Sequence, residues 1–251
     1  MKLLATSDLH NRHDWYAWLH NKAPQYDAVV IAGDLLDMFH GDLYPQVVFL
    51  GRWIAQMKAT GTHLFLVDGN HDFGGFLTRL NLVPEAGTKP DVLVRDACLR
   101  ERWMDELAAR YGERCAVGWM VKRYPELDNL IVTCLPYDQE AEHDKEKLMK
   151  QGSILRRQLT PSPCWIVLHH EPPPGKLGAE GNSSAVLGHL IEDFQPRLVF
   201  CGHDHDAPFR SGTCCEQVGL TYVFNPGYRS DGKFPCHVEI DTATMNHRWV
   251  R

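Results

Sequence analysis

Side chains able to bind metals fall in five clusters along this chain, and each cluster follows directly on a short apolar run. Asp8-Leu9-His10 follows residues 2–6, Gly33-Asp34-Leu35-Leu36-Asp37 follows 27–32, and Gly69-Asn70-His71-Asp72 follows 63–67. His169-His170 follows 165–168, and Gly202-His203-Asp204-His205 follows 198–201. Short apolar runs bounded by turn residues read as strands, and residues 14–20 and 46–58 between them carry apolar side chains at helical spacing. Strands alternating with helices build βαβ units and a largely parallel sheet. In such sheets sites form beyond the carboxyl ends of the strands, where the loops gather over one rim. The five clusters therefore point to one site. Further strands are expected over 130–135, 221–224 and 237–240, with helices over 139–157 and 184–194.

The donor types narrow the chemistry. Imidazole suits Zn, Mn, Fe or Ni and carboxylates suit harder cations, so a mixed Asp/His/Asn set favours divalent first-row metals over Ca or Mg. No thiolate lies in the clusters, which disfavours a structural zinc of the finger type. The donors are too many for one ion and match two ions sharing a bridging carboxylate, the arrangement that clamps the attacking and leaving oxygens of an in-line displacement at a phosphoester. Asp8-x-His10 alone is commonplace, whereas the Gly-Asn-His-Asp tetrad and Gly-His-x-His are rare by chance. One histidine of the His169-His170 pair must point away from any ligand position.

Composition bounds the remainder. With 251 residues, 44% hydrophobic and 23% charged, the chain has ordinary globular composition, and one domain over 1–251 is expected. Lys and Arg number 26 against 32 Asp and Glu, a net charge of −6, and no basic block occurs. Duplex nucleic acid is accordingly not the expected partner. No apolar run approaches the roughly 20 residues of a membrane helix, and the start turns polar too soon for a signal-peptide core. The eight cysteines include no C-x-x-C pair and read as buried free thiols, with adjacent Cys214-Cys215 as the one redox or metal-binding alternative. A soluble, cytoplasmic protein without a membrane partner is expected. Strand signals fade over 73–129, where a polar helix at 100–111 stands alone, so this stretch reads as an insertion; the Pro- and Gly-rich stretch 172–184 reads as an exposed loop. The 7 Trp and 10 Phe could fill a core or a dimer face equally well.

Taken in order, Asp8-x-His10, Gly33-Asp34, Gly69-Asn70-His71-Asp72, His169 and Gly202-His203-x-His205 resemble the calcineurin-like metallophosphoesterases, whose pattern is D-x-H, G-D, G-N-H-[DE], H and G-H-x-H. Asn225-Pro226-Gly227 resembles the family's turn near the last strands. The resemblance implies an α/β fold, a four-layer α/β/β/α sandwich of two mixed sheets flanked by helices. It implies two divalent ions, with Mn first and Fe, Ni or Zn open. Asp8, His10 and His205 would hold one ion; Asn70, His169 and His203 would hold the other, with Asp34 bridging. His169 is preferred to His170 because it comes first off the strand.

His71 would face the leaving-group oxygen as general acid, or stabilise phosphoryl charge. Asp37 would orient it, unless Asp37 is simply an acidic residue at a helix N-terminus. Asp72 reads as a turn or cap residue. The activity implied is hydrolysis of a phosphomonoester or phosphodiester, small or nucleotide-like, by a metal-bridging hydroxide. Met38 after Asp37, and Asp72 where a glutamate is usual, depart from the protein serine/threonine phosphatases. Asn11, Arg12, His13 and Arg210 are candidate substrate contacts, and 171–184 a lid or a passive loop. Three alternatives stand beside this reading: a nuclease of the same superfamily, a non-catalytic binding module on the same fold, and a redox or metal protein relying on its cysteines.

Overall fold

The computed structural model describes residues 1–39, 43–72, 104, 114–117, 120–135, 137 and 164–251. Strands β1 (Lys2–Thr6), β2 (Ala28–Ala32) and β3 (His63–Val67) lie side by side and parallel. β2 and β3 are buried throughout, which explains why their sequences are continuous apolar runs rather than alternating ones. β4 (Cys115–Val117) extends this sheet parallel to β3. A second sheet is built around β6 (Leu130–Leu135), β7 (Trp165–His169) and β8 (Leu198–Phe200), all parallel, with β5 (Met120–Tyr124) antiparallel at one edge. On the other side β10 (Thr221–Phe224) runs parallel to β8, and antiparallel β9 (Cys215–Val218) forms the edge. The antiparallel pair β11 (His237–Asp241) and β12 (His247–Val250) completes the first sheet, in the order β12-β11-β1-β2-β3-β4.

Alternate side chains of each strand serve two different cores. Leu3, Ala5, Val30 and Phe65 of the first sheet meet Val132, Ile166, Leu168, Phe200 and Phe224 of the second. The outer face of the first sheet, through Leu4, Val29, Ile31, Leu64 and Leu66, packs on Trp15, Tyr16 and Leu19 of α1 (His13–Lys22) and on Leu50, Trp53 and Met57 of α2 (Leu43–Ala59). The outer face of the second sheet, through Ile131, Val167, Val199 and Val223, takes Leu187, Leu190 and Ile191 of α3 (Ala185–Phe194). Helix α3 begins where the Ser184 side chain accepts the Leu187 N–H, which satisfies one of the donors a helix start leaves open. The layers run α/β/β/α, two mixed sheets flanked by helices, as the resemblance implies.

Two hydrogen bonds carry this packing toward the strand ends. Trp53 Nε1 donates to Tyr16 O at 2.8 Å, and Tyr16 Oη donates to Leu35 O at 2.8 Å, so α2 is tied to α1 and α1 to the loop after β2. Among the described residues no helix is long and apolar enough to cross a membrane.

Two strands lie inside the stretch 73–129 expected as an insertion, β4 and β5, and they belong to one sheet each. Neither carries a strand pattern: β4 spans three residues, and β5, Met-Val-Lys-Arg-Tyr, is a polar edge strand. β9 and β12 are edge strands of the same polar kind, and the sequence reading missed them too. The helix expected over 100–111, apart from Met104, and the one over 139–157 lie outside the described residues.

Phe65 is 0% exposed and sits between the sheets, its ring 5.1 Å from Tyr124. Phe65→Ala should cost about 3–5 kcal/mol, seen as a lower urea midpoint with unchanged slope. Leu220→Ala, at a side chain 76% exposed, should stay within about 0.5 kcal/mol of wild type.

Candidate metal centre

The five clusters meet through their backbones. Asp8 N–H donates to Gly33 O at 3.0 Å and His10 N–H to Asp34 O at 2.9 Å, fixing the loop after β1 on the loop after β2. Gly202 N–H donates to His170 O at 2.8 Å, and His203 N–H to Asp8 Oδ1 at 3.2 Å, so the loop after β8 joins the loop after β7 and reaches the other sheet. Buried Asp72 accepts N–H groups from Leu35, Leu36 and Gly69 at 3.0, 2.7 and 2.9 Å, fastening the loops after β2 and β3 together. Burial and the Asp34 charge push its pKa well up, against the pull of those three donors. Asp72 is thus a turn brace, as its sequence position suggests. Asp204 does the same on the other side, accepting from Ala179 N–H, Ala207 N–H and Arg210. Asn225 Nδ2 lies 3.0–3.1 Å from the carbonyls of Leu177, Gly202 and Asp204.

Crowding the loops this tightly strains them. Asp8, His10, Asp34 and His203 have φ of 55°, 43°, 52° and 65°, a left-handed conformation that costs a residue with a Cβ roughly 1–2 kcal/mol. Glycine is required where the loops touch: a Cβ on Gly33 (φ 89°) would strike the His170 ring, and one on Gly69 would strike the Asp34 carboxylate.

The side chains form two groups around Asp34. On one side His205 Nε2 lies 3.1 Å from Asp8 Oδ1 and 3.3 Å from His10 Nε2, and His10 Nε2 lies 3.8 Å from Asp34 Oδ2. The donor atoms of Asp8, His10, Asp34 and His205 all fall within 4.8 Å of one another. On the other side His170 Nε2 lies 3.2 Å from Asp34 Oδ1 and 3.0 Å from Asn70 Oδ1, which is 2.9 Å from His203 Nδ1. Two separate donor groups therefore face the two oxygens of one carboxylate.

This set fits divalent cations on its own chemistry. Asp8 is fully buried and its Oδ2 has no hydrogen-bond partner, an acceptor that costs about 1–3 kcal/mol when left unsatisfied. Nitrogen and oxygen donors converge there with no thiolate. Histidines and carboxylates also perturb each other. Burial opposes a charged Asp8, yet the His205 hydrogen bond and the nearby His170 hold its pKa well below the usual carboxylate range. Burial equally disfavours the His170 cation, but Asp34 and Asp8 reverse the balance and its pKa is pushed up to about 10.

His169, preferred over His170 from the sequence, stands apart from the cluster, and His170 lies in it. His169 is the last residue of β7, in register with Leu135, and its Nδ1 lies 3.0 Å from Leu135 O. Burial drives its pKa down to about 4. The side chain of the next residue points the other way, into the loops, as alternation along a strand requires.

His71 stands against the Asp34 side of the cluster. Its N–H donates to Asp34 Oδ1 at 2.9 Å, its Nε2 lies 3.8 Å from Asp34 Oδ2, and its buried Nδ1 lies 3.9 Å from Asp37 Oδ1. Asp37 precedes α2, which starts at Leu43, and does not belong to its first turn. Gln46 holds it by both backbone groups, Asp37 N–H donating to Gln46 Oε1 at 2.8 Å and Gln46 Nε2 to Asp37 O at 3.1 Å.

The expected substrate contacts are turned to other tasks. Arg12 forks onto Asp14, donates to Ser230 O at 2.7 Å and covers the Trp15 ring; Arg210 binds Asp204; His13 stacks on Phe49 at 3.8 Å and lies 3.2 Å from Asn11 Oδ1. The sequence reading missed a rim of other groups. Tyr228 lies 5.0 and 4.7 Å from the His10 and His205 rings, Phe39 lies 4.8 Å from His71, and Glu171 Oε1 lies 4.0 Å from His203 Nε2. Isolated aromatics in turns carry no spacing that marks them. His170→Ala should lower the metal bound per chain, measured by plasma mass spectrometry, whereas His169→Ala should leave it unchanged.

Known proteins share this fold. A three-dimensional likeness covers 100% of this chain and 98% of a protein from Thermus thermophilus, with a TM-score of 0.66 and 17% identity. A dimetal phosphatase from Danio rerio matches 95% of this chain and 91% of its own at a TM-score of 0.56 and 13% identity. The calcineurin-like phosphoesterase YfkN from Bacillus subtilis matches 100% of this chain and 88% of its own at 0.52 and 15%. By sequence, the SbcD component of the nuclease SbcCD of Escherichia coli is 30% identical across 38% of this chain, a stretch spanning 29% of that protein. The sequence pattern of the family described as Calcineurin-like phosphoesterase matches residues 1–207, a span that takes in all five loops. The chain belongs to that family.

Proposed function

We propose that the chain hydrolyses a small or nucleotide-like phosphomonoester or phosphodiester at a site for two divalent ions. Mn is placed first among Mn, Fe, Ni and Zn. Asp8, His10 and His205 would hold one ion and Asn70, His170 and His203 the other. The observation that carries this reading is Asp34, whose Oδ2 faces His10 and whose Oδ1 faces His170, so that one carboxylate would serve both donor groups. When bound, such ions polarise the phosphoryl oxygens and acidify an attacking water.

The chain's own residues perform the rest. The His71 ring is fixed between Asp34 and Asp37, and its Nε2 is the nitrogen on the cluster side. In this reading Asp37 holds a proton on Nδ1 and supports positive charge on the ring, so that Nε2 delivers its proton to the departing alkoxide. The 3.9 Å separation is long for a hydrogen bond, as catalytic contacts without substrate often are. Asp72 and Asp204 keep their loops in place and touch no reacting atom.

A small phosphoester remains the proposed substrate, and the cytoplasm the proposed compartment. The described cysteines are free thiols, and burial raises several of them, Cys214 to about 12 and Cys215 to about 11, which argues against a reactive pair. The likeness to a nuclease component favours one second reading, cleavage of nucleic acid, against which stands a net charge of −6.

Metal-free protein given Mn should regain hydrolysis of a chromogenic phosphomonoester or its diester counterpart at about two equivalents. Thiol alkylation should leave that activity in place, and the ratio of the two rates names the ester class. His71→Ala should keep its metal and lose at least about tenfold in turnover; unchanged turnover removes His71 from the chemistry.

A further inference from the structure

Three aromatic side chains stand around the donor atoms, and they differ in exposure. Tyr137, 6.1 and 6.3 Å from the rings of His170 and His203, and Tyr228 are partly buried. Phe39 is 68% exposed. Single exposed apolar side chains need no explanation in general, and the other large ones among the described residues, Val121 on edge strand β5 and Leu220 between β9 and β10, lie elsewhere. Phe39 differs because it is held over the reacting groups. Its N–H donates to Asp37 Oδ1 at 3.0 Å, and Asp37 is clamped at both backbone groups by Gln46. The ring meets His71 edge to face, centroids 4.8 Å apart at 88°. Asp34, His71 and Phe39 thus form a row from the shared carboxylate outward, with His71 Nε2 3.8 Å from Asp34 Oδ2.

A phosphoryl group held by ions at the donor groups beside Asp34, with its ester oxygen toward His71, would direct the ester's substituent along this row, onto Phe39. The ring offers that substituent a flat apolar face. Arg12 and Arg210, which could have received a polar or anionic substituent, are committed to Asp14 and Asp204. We propose that Phe39 is a specificity-determining residue, a platform on which the planar aromatic part of the phosphoester, an aryl group or a nucleobase, stacks. This inference rests on the phosphoester reading of the site, and it names the substrate class that reading leaves open.

The test uses phosphonates, which are not hydrolysed, on the Mn-loaded full chain. Affinities are measured for phenylphosphonate, for the phosphonate analogue of adenosine monophosphate, and for methylphosphonate. At least one aromatic ligand should bind about tenfold or more tighter than methylphosphonate, a gain in the range of stacking one base on one ring. Which of the two does so separates aryl group from nucleobase. Phe39→Ala should bring the ratio to within about twofold at unchanged bound metal, and Phe39→Trp should restore it. A wild-type ratio near one, or a ratio that survives Phe39→Ala, overturns the platform, as does failure of all three ligands to bind. The corresponding esters separate the two readings. Aromatic ligands that bind tightly while their esters are not hydrolysed leave the platform standing and remove the hydrolase assignment for them. Hydrolysis with equal kcat/KM for aryl and alkyl esters does the reverse.

Discussion

Two carboxylates, Asp8 and Asp34, are buried where the two sheets meet, and the arrangement of the rim follows from that. A buried charge is tolerated only when surrounded by donors or cations. Here the surroundings are His10, His170 and His205, with N–H groups of His71 and His203 turned toward the same oxygens. Each of these lies on one of the loops that meet at the rim, so satisfying two side chains fixes the relative position of five chain segments. The left-handed backbone at Asp8, His10, Asp34 and His203 is the cost of that convergence, and the interior packing of both sheets outweighs it.

Division of labour among the acids explains their spacing. Within one tetrad Asn70 and His71 face the cluster while Asp72 turns back to grip the backbone of the neighbouring loop. In Gly202-His203-Asp204-His205 the histidines point inward and Asp204 points out to Ala179, Ala207 and Arg210. Alternation of direction along an extended or turning backbone lets one short motif supply both the donors and the brace. The same alternation separates His169 from His170.

Much of this was legible in the residues, for a definite reason. Metal-binding chemistry demands particular side chains at particular strand ends, so Asp8, His10, Asp34, Asn70, His203 and His205 announce themselves, and buried parallel strands announce their places as apolar runs. His170 was not legible, because two identical residues straddle the end of β7 and only the register with β6 decides which one leaves the sheet. Strand β4 was not legible because it spans only three residues, and β5, β9 and β12 because polar edge strands need no apolar pattern. Arg12 and Arg210 look like phosphate ligands in one dimension; Asp14 and Asp204, which neutralise them, are near in sequence but reveal their role only in space. Phe39 and Tyr228 belong to no spacing rule.

Strand β1 lies between β2 and β11, and its pairing with β11 joins Lys2 to Asp241. The centre of the first sheet therefore stays open on one side until β11, more than two hundred residues later, has been made. Asp8, at the end of that strand, is made early and awaits His203 and His205, which arrive late. During synthesis the nascent chain carries a half-formed sheet and an uncompensated acid at its heart. Such long-range closure is slow, and until it occurs β1 keeps an unpaired edge on the side that β11 will cover.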